Sequence, residues 1–191
     1  ARKALDGLRA SGMLVQDAEP RFYAYRQVMG DHAQTGLVAT FDTQDYLAGI
    51  LKQHEKTRKD KEDDRTRHIT ALRAQTGPVF LTYKDSAAID DVVEKTMKTV
   101  PIFDFTAEDG ISHTGWRVAD ELTLALQGAF AAVRLLYIAA GHHRPAAAQT
   151  AHDVGFGQPV EGHARHVRRD GPEGFMPQAI HHQAIVDLVR Q

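Results

Sequence analysis

Two short stretches of this chain hold the residue types that could do chemistry. The first is His54-Glu55-Lys56-Thr57, which sets an imidazole, a carboxylate, an ammonium and a hydroxyl in consecutive positions. Histidine moves protons near neutral pH. A glutamate can act as general base on a hydroxyl or hold magnesium, and a lysine can neutralise charge that develops in a reaction. His54, Glu55 and Lys56 are therefore the candidate catalytic residues. A charged run follows, and between His54 and Ile69 only Ile69 is aliphatic. Glu62 with Thr66 and Asp63 with Arg67 stand four apart, as local pairs along one helix face would. The plainer alternative is a solvated, ion-paired helix. Exposed pairs of this kind contribute only about 0.3–0.5 kcal/mol each, too little to account for the whole run.

The second stretch is Gly141-His142-His143-Arg144, set between the apolar run Leu135–Ala139 and Ala146-Ala147-Ala148. A strand, a glycine and a helix start make an anion site plausible on physical grounds. The helix N-terminus offers unpaired N–H groups, and glycine lets backbone approach a ligand. Arg144, read as an exposed loop arginine, can grip phosphate with two parallel hydrogen bonds. His142 and His143 can donate to phosphate or move a proton. Gly141, His142, His143 and Arg144 are the candidate phosphate- or nucleotide-binding residues, against the alternative of a tight polar turn facing water. No metal ligands are assigned, because adjacent histidines in a turn seldom converge on one ion and no His-x-x-x-His or Glu-x-x-His spacing accompanies them. The serine-hydrolase elbow, the Gly-x-x-x-x-Gly-Lys phosphate loop and a Gly-x-Gly-x-x-Gly fingerprint opening a helix are all missing.

Several elements must position these stretches. Ala4, Leu5, Leu8 and Met13 suggest a short helix ending near Gly12. Residues 21–29 and 35–41 read as a hairpin through Gly30-Asp31-His32. Asp42 or Thr43 caps a helix bearing Tyr46, Leu47, Ile50 and Leu51, which delivers the chain to His54. The charged helix runs from about Lys61, with Ile69 and Leu72 on its buried side, and stops at Gly77. Residues 78–83 read as a strand and Ile89, Val92, Val93 and Met97 as a helix. Strands follow at 100–105 and 111–118, joined by Asp109-Gly110, with Trp116 as a core or lid residue. Leu122 to Phe130 belong to another helix, and 135–139 is a buried strand. Residues 151–191 are rich in Gly, Pro and His and read as poorly specified, with Ala179–Val189 the one plausible helix.

The chain has 191 residues, 42% hydrophobic and 25% charged, with a formal net charge of -2 and no cysteine. That composition fits one soluble α+β domain over 1–150 with an appended tail. The charge argues against a general nucleic-acid binder. No run is long and apolar enough for a bilayer, so no membrane is expected. Absence of cysteine excludes disulfides and thiolate chemistry and fits a cytoplasmic protein. The opening at Ala1, already inside a helical pattern, reads as an internal piece of a longer chain. Oligomeric state is left open.

His54-Glu55-Lys56-Thr57, Lys61-Glu62-Asp63-Asp64-Arg65 and Leu136-Tyr137-Ile138-Ala139-Ala140-Gly141-His142-His143-Arg144 together resemble the domain-of-unknown-function family 1015. Leu14-Val15-Gln16-Asp17, Thr35-Gly36-Leu37-Val38, residues 76–81 and Trp116-Arg117-Val118 support the resemblance, which covers about 1–150. More distantly, the Gly-His-His-Arg loop is similar to the phosphate-gripping box of the ParB and sulfiredoxin superfamily, which includes kinases of free serine. This chain departs from the family in two places. Ala140 stands where the family usually carries Asp, and the family's Tyr-Asn-Arg motif has no clear match, the nearest candidate being His181-His182-Gln183.

The expectation is an α+β fold, a small mixed β-sheet flanked by helices, with a ParB/sulfiredoxin-like element around the Gly141–Arg144 loop. The charged helix and that loop are expected to converge on one cleft. By resemblance, the activity would be phosphoryl transfer from a nucleotide with Mg2+ to a small hydroxyl substrate such as free serine. The alternatives are a nucleotide- or phosphate-binding regulatory protein without turnover, and a scaffold whose charged helix meets a protein partner.

Overall fold

Alternating aromatic and polar residues make Tyr23–Met29 (β1) a strand, and Gly30, at φ +57°, turns it back into His32–Phe41 (β2). This hairpin lies within one eight-stranded mixed sheet in the computed structural model, which describes residues 1–153 and 182–187. The helices are Arg2–Ala10 (α1), Thr43–Leu47 (α2), Lys59–Leu72 (α3), Ala87–Met97 (α4), Asp120–Ala131 (α5) and His143–Asp153 (α6). The other strands are Leu51–Lys52 (β3), Val79–Thr82 (β4), Phe103–Thr106 (β5), Ser112–Arg117 (β6), Leu136–Ala140 (β7) and His182–Asp187 (β8). Their order across the sheet is β3-β7-β4-β8-β2-β1-β6-β5. β3 runs parallel to β7, and β4 parallel to β8; the other neighbours are antiparallel. The fold is α+β, a mixed sheet flanked by helices, as the residue pattern implied.

The two faces of the sheet differ. Ala24, Leu37, Ala39, Val79, Leu81, Trp116, Leu136 and Ile138 are buried in one cluster with Ile89, Val92 and Val93 of α4 and Leu126 and Phe130 of α5. Period-two alternation sends Tyr25 and Gln27 of β1 to the opposite face. Helices α3 and α6 pack on each other through a separate small cluster, in which Ile69 meets Ala147, Ala148 and Ala151. Three alanines let the two helix backbones approach closely around one large side chain. Leu72 and Ala74 pack against Leu5 of α1, and Arg2 Nη1 donates to the Leu72 carbonyl at 2.9 Å, satisfying an acceptor that the helix end leaves over.

Four local expectations need correction. Ile50 and Leu51 do not continue α2. Asp42 caps that helix by accepting from Gln44 N at 2.9 Å, but Gly49 at φ +70° ends it, and Leu51 turns into the sheet as β3. The charged helix stops at Leu72 rather than Gly77, because Arg73 takes the left-handed conformation at φ 53° and its N–H bonds Ile69 O. Within it the pairs differ from those expected. Asp63 accepts from Lys59 Nζ at 2.6 Å, Arg67 reaches Asp64 at 3.6 Å, and Thr66 Oγ1 donates to the Glu62 carbonyl at 2.9 Å. A threonine on a helix finds the carbonyl one turn back before it finds a neighbouring carboxylate. Lastly, residues 182–187 form a strand between β4 and β2, not part of a helix over 179–189. His182-Gln183-Ala184-Ile185-Val186-Asp187 carries β-branched residues at its centre, and two open strand edges outweigh its weak helical spacing. Residues 151–153 of the Gly, Pro and His-rich tail complete α6, and the remainder of that tail lies outside the described residues.

Ile69 is the residue on which the α3–α6 contact turns, at 2% exposure. Ile69→Ala should lower stability by about 2–4 kcal/mol, since alanine neighbours cannot collapse into the space. Urea denaturation would read this, and a loss below about 1 kcal/mol would show that the helices are held by other means.

Candidate functional site

Strand β3 is only two residues long, yet it sets the site. Leu51 pairs with Leu136 and Lys52 with Tyr137, so both strands leave the sheet at the same end. The chain after β3 is His54-Glu55-Lys56-Thr57, and the chain after β7 is Gly141-His142-His143-Arg144. Two residues beyond the ladder, His54 Nδ1 lies 2.9 Å from the Ile138 carbonyl oxygen. A carbonyl can only accept, so Nδ1 carries a proton, which leaves Nε2 as the nitrogen able to present a lone pair.

Gly141 makes the turn that brings the second loop back. Its φ of +86° is unfavourable for any residue with a Cβ. A Cβ there would also press on Arg144, at 3.3 Å from Nη1 and 3.4 Å from Cδ. His142 then lies edge-on to His54, ring centroids 5.1 Å apart, and its Nε2 contacts the Glu55 carboxylate. The His142 side chain is 15% exposed and that of Glu55 55%. His142 Nδ1 is buried and has no hydrogen-bond partner among the described residues. One potential ligand atom from each of His54, Glu55 and His142 lies within 4.8 Å of the others. Ligand spacing along the chain detects only residues close in sequence. These three donors come from two segments, which no local spacing could reveal.

Of the other expected site residues, His143 and Arg144 turn elsewhere. Lys56 is exposed. His143 opens α6, and its Nδ1 accepts the Arg58 backbone N–H at 3.4 Å. Pro145 follows in the first turn of the helix, where its missing N–H is no loss. Arg144 is half-buried rather than an exposed loop arginine. Its Nη1 donates to the Pro78 carbonyl across the sheet end, and it packs so closely over Gly77 that a Cβ there would come within 2.8 Å of Nε. Arg144 thus turns toward β4, while His142 turns toward the His54 loop. With Ala140, Pro78, Phe80, Tyr25, Gln27, Gln34 and Gly36 it lines a cavity of about 320 Å³ on the sheet face away from the core. In that cavity wall burial pushes the Tyr25 hydroxyl above its ordinary pKa, and it hydrogen bonds His113 Nδ1 at 2.6 Å as a neutral phenol.

Residues outside the candidate catalytic and binding sets hold the two loops from behind. The Glu62 carboxylate accepts from Thr150 Oγ1 of α6 at 2.9 Å and from Thr57 Oγ1 at 3.4 Å. One carboxylate on α3 therefore fastens the end of the first loop to the helix that follows the second. Neither Glu62 nor Thr150 carries a sequence signal for this, because the pairing depends on how α3 and α6 cross. Tyr25 and Gln27 were accessible in principle, since alternation on β1 puts them on one face. No helix among the described residues is long and apolar enough to cross a membrane.

Arg144→Ala should cost about 1–2 kcal/mol of stability, because it strips a charge-assisted bond from the Pro78 carbonyl as well as packing over Gly77 and Gly141. Arg144→Lys should recover part of that, lacking the planar fork. Urea melts of both variants test it, and unchanged stability in Arg144→Ala would mean that the guanidinium is free to leave for a ligand at no cost.

No curated protein and no solved structure matches the chain. A family model described as a protein of unknown function, DUF1015, matches residues 1–163. That match takes in both loops and the helices behind them, and by it the chain belongs to the DUF1015 family.

Proposed function

We propose that this protein transfers a phosphoryl group from a nucleotide, bound with Mg2+, to a small hydroxyl substrate, free serine being the case suggested by the resemblance of the Gly141–Arg144 loop to the ParB and sulfiredoxin superfamily. The observation that carries the reading is the meeting of the two loops, with Glu55 against His142 and Arg144 in the wall of the adjoining cavity. In this reading the phosphates lie against the positive end of α6 and the Arg144 guanidinium, since the Arg144 N–H is taken by the Gly141 carbonyl at 2.8 Å and Pro145 has none. Glu55 takes the substrate proton as its oxygen attacks the terminal phosphorus, the bond to the bridging oxygen breaks, and the nucleoside diphosphate leaves. His142 holds Glu55 in place with His54 edge-on behind it, and Lys56, exposed, neutralises charge on the transferring group. The cytoplasm would be the setting, where nucleotide is supplied.

One observation favours a second reading, a nucleotide- or phosphate-binding regulator without turnover. Ala140 lines the cavity at the position where the family usually carries Asp, so one carboxylate that could hold a metal or accept a proton is missing there. The scaffold reading has less support. Helix α3 uses Ile69 and Leu72 inside the chain and pairs Lys59, Asp63, Asp64 and Arg67 within itself.

Labelled nucleotide and a pool of small hydroxy compounds including serine, incubated with Mg2+, separate the readings. Phosphotransfer predicts nucleotide binding and a phosphorylated product. Glu55→Gln should lower turnover by about 10²–10⁴-fold while leaving nucleotide affinity nearly intact. Arg144→Ala should weaken nucleotide affinity by roughly ten- to hundred-fold. Binding without product selects the regulator, and absence of nucleotide binding defeats both.

A further inference from the structure

We propose that His54, Glu55 and His142 form a binding site for a transition-metal dication of the zinc, cobalt, iron or manganese class, distinct from any Mg2+ carried in with a nucleotide. The inference does not depend on phosphoryl transfer, and with the ion bound Glu55 is a ligand rather than the general base. Two imidazoles and one carboxylate are a donor set that suits borderline metals, whereas Mg2+ prefers oxygen ligands and keeps its waters.

Three observations converge on it. First, the donor atoms lie within 4.8 Å of one another. An ion about 2.0–2.2 Å from each donor needs separations of at most about 4.4 Å, so side-chain rotations that draw His54 in and part the Glu55–His142 contact shape the site. Second, the proton on His54 Nδ1 is held by the Ile138 carbonyl, so the ring is oriented and Nε2 presents its lone pair. A backbone carbonyl on the far nitrogen is the usual support of a ligating histidine. Third, His142 is mostly buried beyond a left-handed glycine, with Nε2 on Glu55 and Nδ1 without a partner among the described residues.

A simple Glu55–His142 ion pair would need only two of these residues. It gives no reason for His54 to stand edge-on to His142 with its tautomer fixed. Three protein ligands also leave coordination positions for water or a substrate oxygen, as catalytic rather than structural sites do. His143 does not join the set, since its Nδ1 is occupied by the Arg58 N–H.

The test uses the full chain, stripped with chelator and titrated with Zn2+ or Co2+ alone. Calorimetry should show one tight ion per chain, and Co2+ should give the visible absorption bands of a site with mixed nitrogen and oxygen ligands. His54→Ala and His142→Ala should each weaken binding by more than about ten-fold, the least that loss of a ligand does. The conservative Glu55→Gln, at an exposed side chain, should weaken binding and alter the Co2+ spectrum without threatening the fold. His68→Ala, on the exposed side of α3, should bind as wild type does, a control at a histidine outside the site. Binding that survives the loss of both His54 and His142, or no stoichiometric binding at all, would overturn the site. Displacement of Co2+ by equimolar Mg2+ would overturn the assigned metal class.

Discussion

A two-residue parallel ladder is the constraint from which the site follows. Leu51 and Lys52 lie beside Leu136 and Tyr137, and the His54–Ile138 hydrogen bond extends that registration beyond the sheet across a sequence separation of 84 residues. Because strand register is quantised, a slip by one residue would turn Leu51 out of the core and carry Glu55 away from His142. Leu51 and Leu136, both buried, hold the register by burial. The loops meet because their strands end together.

The back of the site is built differently. Ile69 against three alanines fixes the distance between α3 and α6, and Glu62 fastens Thr57 and Thr150 to that pair. The charged helix thus has two functions along its length. Its outer charges pair among themselves in water and contribute little, while Glu62, half-buried, connects three segments. On the other side, Arg144 spans Gly77 and Gly141 to reach Pro78, which joins the loop to β4 and forms part of the cavity wall. His142 and Arg144, two residues apart, serve opposite sides of one strand end.

Much of the fold was legible because its signals are local. The hairpin, the strands at β4 and β7, and helices α4 and α5 follow from alternation, helical spacing and glycine turns. The errors arose where tertiary partners decide. Leu51 has helical spacing but finds an open edge on β7, and residues 182–187 find two edges at once. Arg73, not a glycine, adopts the left-handed cap. Of the site, the composition of each loop was readable, but the grouping was not. The reading joined His142, His143 and Arg144 because they are consecutive, whereas the backbone aims each at a different neighbour. His54, Glu55 and His142, far apart in sequence, stand together.

The two loops make one site, and imidazole nitrogen NMR of the full chain tests this most directly. In metal-free protein His54 should show the tautomer protonated at Nδ1, with a free Nε2. On addition of one equivalent of Zn2+, the resonances of His54 and His142 should shift together and by the same saturation curve. If His54 lacks that tautomer, or if only one of the two rings responds to the ion, the loops do not share a site.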